Sequence, residues 1–276
     1  MLDINVFFQE IANPFMDMFF LLISMLTNEY LYIGIIAVIY FSINKEKAIR
    51  MALLIMTNLS FNFLLKDIFK VERPYMKNKD IINKDPDTGY GYSFPSGHSQ
   101  FNSGFFTSLG CNFNIIKFIF YIILFLFLVA LSRVYLGVHS VLDVCAGLII
   151  GFVITYFMNK IIIKIMYSKK YLLYLFSLLG IFNIVISKNT DSMKILILYL
   201  GFVSGYIAES SFVNYKVPES IKRKIINILV FLLGVIIIQL SFSPLPDKIR
   251  IIKYFLIGFW ASYLCPLITV ERKVKK

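Results

Sequence analysis

The chain has 276 residues, of which 58% are hydrophobic and 17% aromatic, and its formal net charge is +12. Several apolar stretches reach about 20 residues, the length with which a helix crosses a bilayer core of about 30 Å. This excludes an ordinary soluble domain. The basic residues are scattered between apolar segments, which argues against a nucleic-acid-binding protein. No basic segment followed by a small-residue cleavage site occurs at the start, so no removable signal peptide is predicted.

The hydropathy pattern predicts an all-α, polytopic membrane protein that begins with an interfacial helix region in residues 1–27. The start also permits one long tilted span over 14–43, interrupted at Asn28 and Glu29. We expect the third span to face protein rather than lipid, because it is short and polar. The predicted spans are 28–43, 50–66, 98–111, 117–132, 140–159, 172–187, 195–212, 225–242 and 252–270.

More than half of the 28 lysine and arginine residues fall on one face when the N-terminus is placed outside. The positive-inside rule assigns that face to the cytoplasm. Loop 67–97 then lies on the non-cytoplasmic side, although it is itself basic. We interpret its lysines as interfacial or headgroup-attracting charges; they are Lys70, Lys77, Lys79 and Lys84. We interpret its acids as solvated; they are Asp67, Glu72, Asp80, Asp85 and Asp87.

Three polar clusters lie at the ends of predicted spans, and both histidines of the chain belong to them. They read KDIFKVERP at 66–74, FPSGH at 94–98 and SRVYLGVHSVLD at 132–143. Two spans separate the second cluster from the third. Since two is an even number, these clusters open on the same membrane face. In the first cluster, Lys66 and Arg73 share a helix face if the helix persists, and Pro74 is expected to end that helix.

The residue types in these clusters suit phosphate chemistry. Lys66, Arg73 and Arg133 bring together three cations that match a polyanion. Ser96 is a natural N-cap, and the free N–H groups at the start of the following helix, beginning with Gly97, form an anion site.

The two histidines have different neighbours. His139 and Asp143 lie four residues apart on one helix face, so the carboxylate can hold the imidazole in one tautomer. An imidazole oriented in this way beside a phosphate pocket is a candidate nucleophile. His98 is the candidate general acid. Each feature alone has a plainer interpretation, such as a packed histidine, a structural polar pair or snorkelling cations. Their occurrence together on one face favours a composite site.

Metal binding is poorly supported by these residues. Two histidines and one nearby carboxylate could hold zinc, but three cations surround them, which is a poor environment for a dication. We therefore predict no metal.

These clusters resemble the tripartite signature of the type 2 phosphatidic acid phosphatase family, K-x6-R-P, P-S-G-H and S-R-x5-H-x3-D. All three match without gap or substitution, over segment 66–143 only. The resemblance implies a phosphatase without metal or other cofactor that forms a phosphohistidine intermediate. It assigns the nucleophile to His139, its orienting partner to Asp143 and the acid to His98. It assigns phosphate binding to Lys66, Arg73, Ser96, Gly97, Ser132 and Arg133.

The same resemblance implies a six-span helical core, predicted in 28–170, with about three further spans in 171–276, all in one membrane domain. The span count resembles the glucose-6-phosphatase branch, and sphingosine-phosphate phosphatases also carry additional spans. We expect a phosphorylated lipid substrate at the non-cytoplasmic face, in the plasma membrane if the source is bacterial. An isoprenoid diphosphate, such as undecaprenyl diphosphate, or a phosphatidate-type lipid is the first expectation. A sphingosine-phosphate or hexose-phosphate phosphatase is the alternative. A non-enzymatic lipid-binding or lipid-moving protein would not need the nucleophile, the acid and the orienting carboxylate all intact.

Overall fold

The computed structural model describes residues 4–27, 29–168, 171, 172, 178, 180 and 190–270, and within these ranges the regular secondary structure is entirely helical. The first helices are α1 (Ile4–Glu10), α2 (Pro14–Leu26), α3 (Glu29–Ser42), α4 (Lys45–Phe69), α5 (Pro74–Lys77), α6 (Gly97–Asn112), α7 (Ile119–Tyr135) and α8 (Val141–Ile165). The later ones are α9 (Thr190–Ala208), α10 (Ile221–Phe242), α11 (Asp247–Arg250), α12 (Ile252–Phe259) and α13 (Cys265–Thr269).

Seven helical segments within the described ranges are long and apolar enough to cross a membrane. The chain is an integral membrane protein with an all-α fold, as predicted. The segment Pro14–Ser42 fits the alternative of one long span at the start. Helix α6 has only 16 residues, and the predicted span 172–187 lies almost wholly outside the described residues. The seven segments are Pro14–Ser42, Lys45–Lys77, Ile116–Tyr135, Val141–Ile165, Thr190–Val213, Ile221–Phe242 and Lys248–Thr269.

The described residues fall into two compact units. The first takes in the described parts of Met1–Tyr32 and Thr57–Ile161, and therefore all three polar clusters. The second takes in those of Ile33–Met56, Ile162–Val185 and Asn189–Lys276.

The core of the first unit forms between α2 and α7. Phe20 packs on Tyr135 with ring centroids 4.3 Å apart, beside the buried side chains of Ile23 and Val129. Helix α2 begins sharply because the Asn13 side chain accepts a hydrogen bond from the Met16 N–H and proline occupies the first turn. The apolar face of α2 thus stabilises α7, the helix whose last turn carries Arg133.

Helix α6 is polar and buried, which confirms that it faces protein. Gln100 donates to the Asn58 side-chain oxygen (2.9 Å) and accepts from Asn62 (2.8 Å). A side chain on Gly151 would meet the Gln100 carbonyl at 2.3 Å, so this glycine allows α8 to approach α6 closely. Satisfied polar groups therefore hold α6 in place, and with it the start of the helix at Gly97.

Helix α4 ends earlier than the sequence predicts. It stops at Phe69, because Lys70 adopts a left-handed conformation with φ of 50°. The prediction that Pro74 ends this helix is wrong: Pro74 begins the short helix α5, with Arg73 as its extended N-cap residue. Lys66 and Arg73 therefore do not share one continuous helix.

The second unit contains a buried ion pair. Lys45 contacts the fully buried carboxylate of Glu209 at 2.9 Å, and the Tyr215 N–H donates to the same carboxylate. Tyr40 stacks on Tyr215 with ring centroids 5.6 Å apart. Trp260 donates to the Phe231 carbonyl at 3.1 Å.

Candidate active site

The loop between α7 and α8 carries His139. Its turn depends on Gly137, which has φ of +75° and whose missing side chain leaves room for the Ile82 carbonyl. Asn5 of α1 donates to the carbonyls of Val134 (2.7 Å) and His139 (3.0 Å) and is itself buried. No sequence pattern pointed to Asn5, because the segment that forms α1 was predicted to be an interfacial helix.

The His139 ring has a different partner on each nitrogen. Nε2 lies 3.3 Å from Nη1 of Arg73 and Nδ1 lies 3.3 Å from Oγ of Ser93. Arg73 can only donate, so Nε2 is the unprotonated nitrogen and Nδ1 carries the proton. Burial lowers the pKa of His139 well below its usual range; Asp143 opposes this shift, whereas Arg73 and Lys66 add to it. The imidazole is therefore neutral, as a nucleophile must be.

The predicted pair of His139 and Asp143 is present but not as a direct hydrogen bond. Nδ1 and Oδ2 are 3.8 Å apart, beyond hydrogen-bonding distance. The hydroxyl of Ser93 lies between them and donates to Oδ2 of Asp143 at 2.6 Å. Sequence reasoning missed Ser93, although it stands just two residues before Pro95.

The first two cations of the site contact one loop. Lys66 donates to the Tyr92 carbonyl at 2.5 Å. Arg73 donates to the carbonyls of Tyr90 (2.5 Å) and Gly91 (3.0 Å). Both cations are almost fully buried, and backbone carbonyls accept from them in this structure.

Charged pairs fasten the loop that follows α5 to the first unit. Lys84, predicted to be interfacial, contacts Asp17 at 2.6 Å and lies 5.2 Å from the centre of the Tyr135 ring. Asp85, predicted to be solvated, is instead buried against Arg133 at 2.7 Å. The sequence prediction failed for Asp85 because its partner lies 48 residues away along the chain.

Arg133 is fully buried and held along one edge. Nη1 donates to Ser24 (2.5 Å) and Asp85 (2.7 Å), and Nη2 donates to Thr88 (2.9 Å). Burial alone would raise the pKa of Asp85, but Arg133 and the hydrogen bonds around the carboxylate lower it to about 2. Nε of Arg133 has no hydrogen-bond partner among the described residues. A buried N–H without an acceptor suits a ligand that supplies one.

The P-S-G-H cluster starts α6 as predicted. The Ser96 side chain accepts from the Ser99 N–H, which makes Ser96 the N-cap, and Gly97 is the first helical residue. The His98 imidazole has no hydrogen-bond partner among the described residues, and it interacts electrostatically with Arg133, Lys66 and Arg73.

Ser132, like Ser96, has a side-chain hydrogen bond to its own helix. Its hydroxyl donates to the Val129 carbonyl of its own helix at 2.7 Å. It is fully buried. In this structure Ser132 therefore supports the last turn of α7.

A cavity of about 150 Å³ opens beside Asp143. Its lining residues are Asn5, Val71, Glu72, Pro74, Lys77, Asn78, Ser140 and Asp143. Within the described ranges, no three His, Cys, Asp or Glu side chains cluster as metal ligands would. The arrangement thus combines a neutral oriented imidazole, a second imidazole and three buried cations.

Two family models and two known proteins are similar to this chain. Residues 47–167 match the family model described as PAP2 superfamily, and residues 194–276 match one described as PAP2 superfamily phosphatase, transmembrane extension. Over 158 residues, 54% of this chain, the sequence is 25% identical to a dihydrosphingosine 1-phosphate phosphatase of Schizosaccharomyces pombe. That alignment spans 38% of the yeast protein's length. The crystal structure of LpxE from Aquifex aeolicus superposes with a TM-score of 0.50 and 26% identity, covering 58% of this chain and 94% of LpxE.

Proposed function

Because the chain belongs to the PAP2 superfamily, we propose that it is a membrane phosphatase that hydrolyses a phosphorylated lipid at the non-cytoplasmic face. The reaction needs no metal and passes through a phosphohistidine at His139. The observation that carries this proposal is the orientation of the His139 ring. Its unprotonated Nε2 lies 3.3 Å from Nη1 of Arg73, and its Nδ1 faces Ser93, which donates to Asp143.

Charge supports the binding of a phosphate monoester at this position. Lys66, Arg73 and Arg133 supply three cations, whereas Asp85 and Asp143 supply two carboxylates, so the site keeps a net positive charge when both histidines are neutral. A phosphate oxygen is a better acceptor for Lys66 and Arg73 than the neutral loop carbonyls, since it adds the attraction between opposite charges to the hydrogen bond. Nε of Arg133 gains the acceptor that it lacks.

The proposed reaction has two balanced steps. The bound phosphate anion offsets the cations around His98, so that this imidazole takes up a proton before the chemistry begins. Nε2 of His139 then attacks phosphorus, the bond from phosphorus to the lipid oxygen breaks, and that oxygen takes the proton from His98. Water then attacks the phosphohistidine and passes a proton to His98, the nitrogen–phosphorus bond breaks, and inorganic phosphate leaves. The second step restores the free imidazole of His139 and the proton of His98, which the first step consumes.

The substrate is proposed at the level of lipid class. An isoprenoid diphosphate and a phosphatidate-type lipid are the first candidates, and the yeast relative's name adds a sphingoid-base phosphate. Phosphate release from purified protein should be measured on one member of each class and on glucose 6-phosphate. Turnover of the sugar phosphate alone would overturn the lipid assignment.

Variants of the two histidines test the chemistry. His139→Ala should abolish turnover and leave no trapped phosphoenzyme, because the attacking nitrogen is gone. His98→Ala should lose most activity on substrates with alkoxide leaving groups. Its activity on nitrophenyl phosphate should be partly retained, because that leaving group needs little protonation; general acid catalysis is typically worth ~10²–10⁴-fold.

Wild-type turnover should survive excess EDTA. Phosphoenzyme accumulation in His139→Ala, or activity that EDTA abolishes and a metal restores, would contradict the proposal. A protein that binds these lipids without turnover would be the non-enzymatic alternative.

A further inference from the structure

The space between His139 and Asp143 is filled by one side chain. Oδ2 of Asp143 is 3.8 Å from Nδ1 of His139, so no direct hydrogen bond joins them. Oγ of Ser93 lies 2.6 Å from that carboxylate oxygen and 3.3 Å from Nδ1. A hydroxyl has one proton to donate and lone pairs to accept. Ser93 can therefore accept from the imidazole and donate to the carboxylate at the same time.

Ser93 and Asp143 are both held in place by further hydrogen bonds. Ser93 is fully buried and its backbone N–H donates to the Val71 carbonyl at 2.7 Å. Oδ2 of Asp143 also accepts from the Ser140 N–H at 2.7 Å. A direct contact between Asp143 and His139 would require the carboxylate oxygen to leave two short hydrogen bonds. The chain His139–Ser93–Asp143 is thus the arrangement that this local structure supports.

We propose that Ser93 is the positioning residue through which Asp143 orients and stabilises the His139 imidazole. This inference rests on the proposed function. When Nε2 bonds to phosphorus, Nδ1 keeps its proton and the ring becomes cationic. The Ser93 oxygen then accepts from a stronger donor. The 3.3 Å contact should therefore shorten, as catalytic hydrogen bonds often do in the complex with substrate.

Ser93→Ala removes the bridge and little volume. We expect kcat to fall about 10–100-fold, by analogy with the loss of activity when the hydrogen-bond partner of a metal-binding histidine is removed. KM should stay near that of the wild type because Lys66, Arg73 and Arg133 are untouched. Ser93→Thr, which keeps the hydroxyl, should recover most of kcat. Ser103→Ala is the matched control, since Ser103 is a buried serine whose hydroxyl donates to the Leu148 carbonyl and, among the described residues, contacts no residue of the candidate site through a hydrogen bond.

A double-mutant cycle separates positioning from a structural effect. If Asp143 acts through Ser93, the cost of Ser93→Ala should largely vanish in an Asp143→Asn background, because linked groups are not additive. Additive losses would mean that Ser93 works independently of Asp143, and would overturn the inference. Unchanged kcat in Ser93→Ala would do the same.

A spectroscopic readout makes the test independent of turnover. The chain has two histidines, so histidine labelled with ¹⁵N in the ring gives two sets of signals, which a His98→Ala sample assigns. We expect His139 to be protonated on Nδ1 in the wild type and to become a mixture of tautomers in Ser93→Ala. A wild type without phosphatase activity refutes the proposed function and leaves this measurement valid. An identical His139 tautomer in both proteins refutes the bridge.

Discussion

The Arg133 guanidinium is fixed along one edge and open at another. Asp85, Ser24 and Thr88 hold its two terminal nitrogens, while Nε has no partner among the described residues. A fully buried arginine is costly unless a carboxylate neutralises it. In the proposed function, Asp85 therefore acts on phosphate binding indirectly, by setting where the free N–H of Arg133 points.

Replacing Asp85 with asparagine tests this dependence. Asp85→Asn keeps the shape but leaves Arg133 unneutralised, and removing one partner of a buried pair costs about 3–5 kcal/mol. We expect a lower unfolding temperature and a higher KM in phosphate-release assays. Asp87→Asn, an exposed acid two residues later, is the control and should match the wild type. Equal KM and stability in all three proteins would show that the pair has no role.

The pH dependence of this pair has a defined sign. The pKa of Asp85 is lowered to about 2 from an ordinary value of 3.8. A depressed carboxyl pKa contributes stability that is fully present above the unfolded value and is lost as the pH falls toward the folded value. The stability difference between wild type and Asp85→Asn should therefore stay constant above about pH 5 and shrink at lower pH. A difference that instead changed near neutral pH would point to another group.

Whether a residue of the candidate site could be predicted from the sequence depends on how far away along the chain its partners lie. The signature residues could be predicted because their types and spacing are visible along the chain, and the family match confirms the resemblance. Ser93, Asp85 and Asn5 could not be predicted, since their partners are 46 to 134 residues away. Long-range partners depend on the path of the loops, which hydropathy does not specify.

At the scale of elements, the turn between α7 and α8 positions His139, the proposed nucleophile. Asn5 of α1 donates to the carbonyls of Val134 and His139, and Gly137 bends the turn itself with a positive φ. The Lys84 N–H donates to the Leu136 carbonyl at 3.0 Å. Helix α1 is therefore part of the site's support and not simply an interfacial helix.

Gly137→Ala tests how far catalysis depends on this turn. A left-handed conformation costs a residue with a side chain about 1–2 kcal/mol, and the added carbon would approach the Ile82 carbonyl to 2.5 Å. We expect lower thermal stability and a drop in kcat, because the His139 ring is displaced. Gly110→Ala, where the added carbon makes only ordinary contacts at 3.6 Å, should leave both unchanged. Wild-type values in Gly137→Ala would show that the turn tolerates side chains.

At the scale of the whole molecule, charge and helix parity predict the membrane orientation. Helix α6 separates the loop that contains Lys79 from the connection that contains Lys117. If α6 crosses the membrane, these two lysines lie on opposite faces. The positive-inside rule places Lys117 in the cytoplasm and Lys79 outside, with the candidate active site. The basic character of loop 67–97 opposes this rule, so the orientation needs a direct test.

Cysteine labelling in intact cells supplies that test. The three native cysteines, Cys111, Cys145 and Cys265, are all free and would first be replaced by serine in a variant that keeps activity. In that background, Lys79→Cys should react with a membrane-impermeant maleimide from outside. Lys117→Cys should react only after the cells are permeabilised. Because one helix separates the two positions, each variant is the control for the other. The reverse pattern would place the active site on the cytoplasmic face, and labelling of both positions from outside would mean that α6 does not cross the membrane.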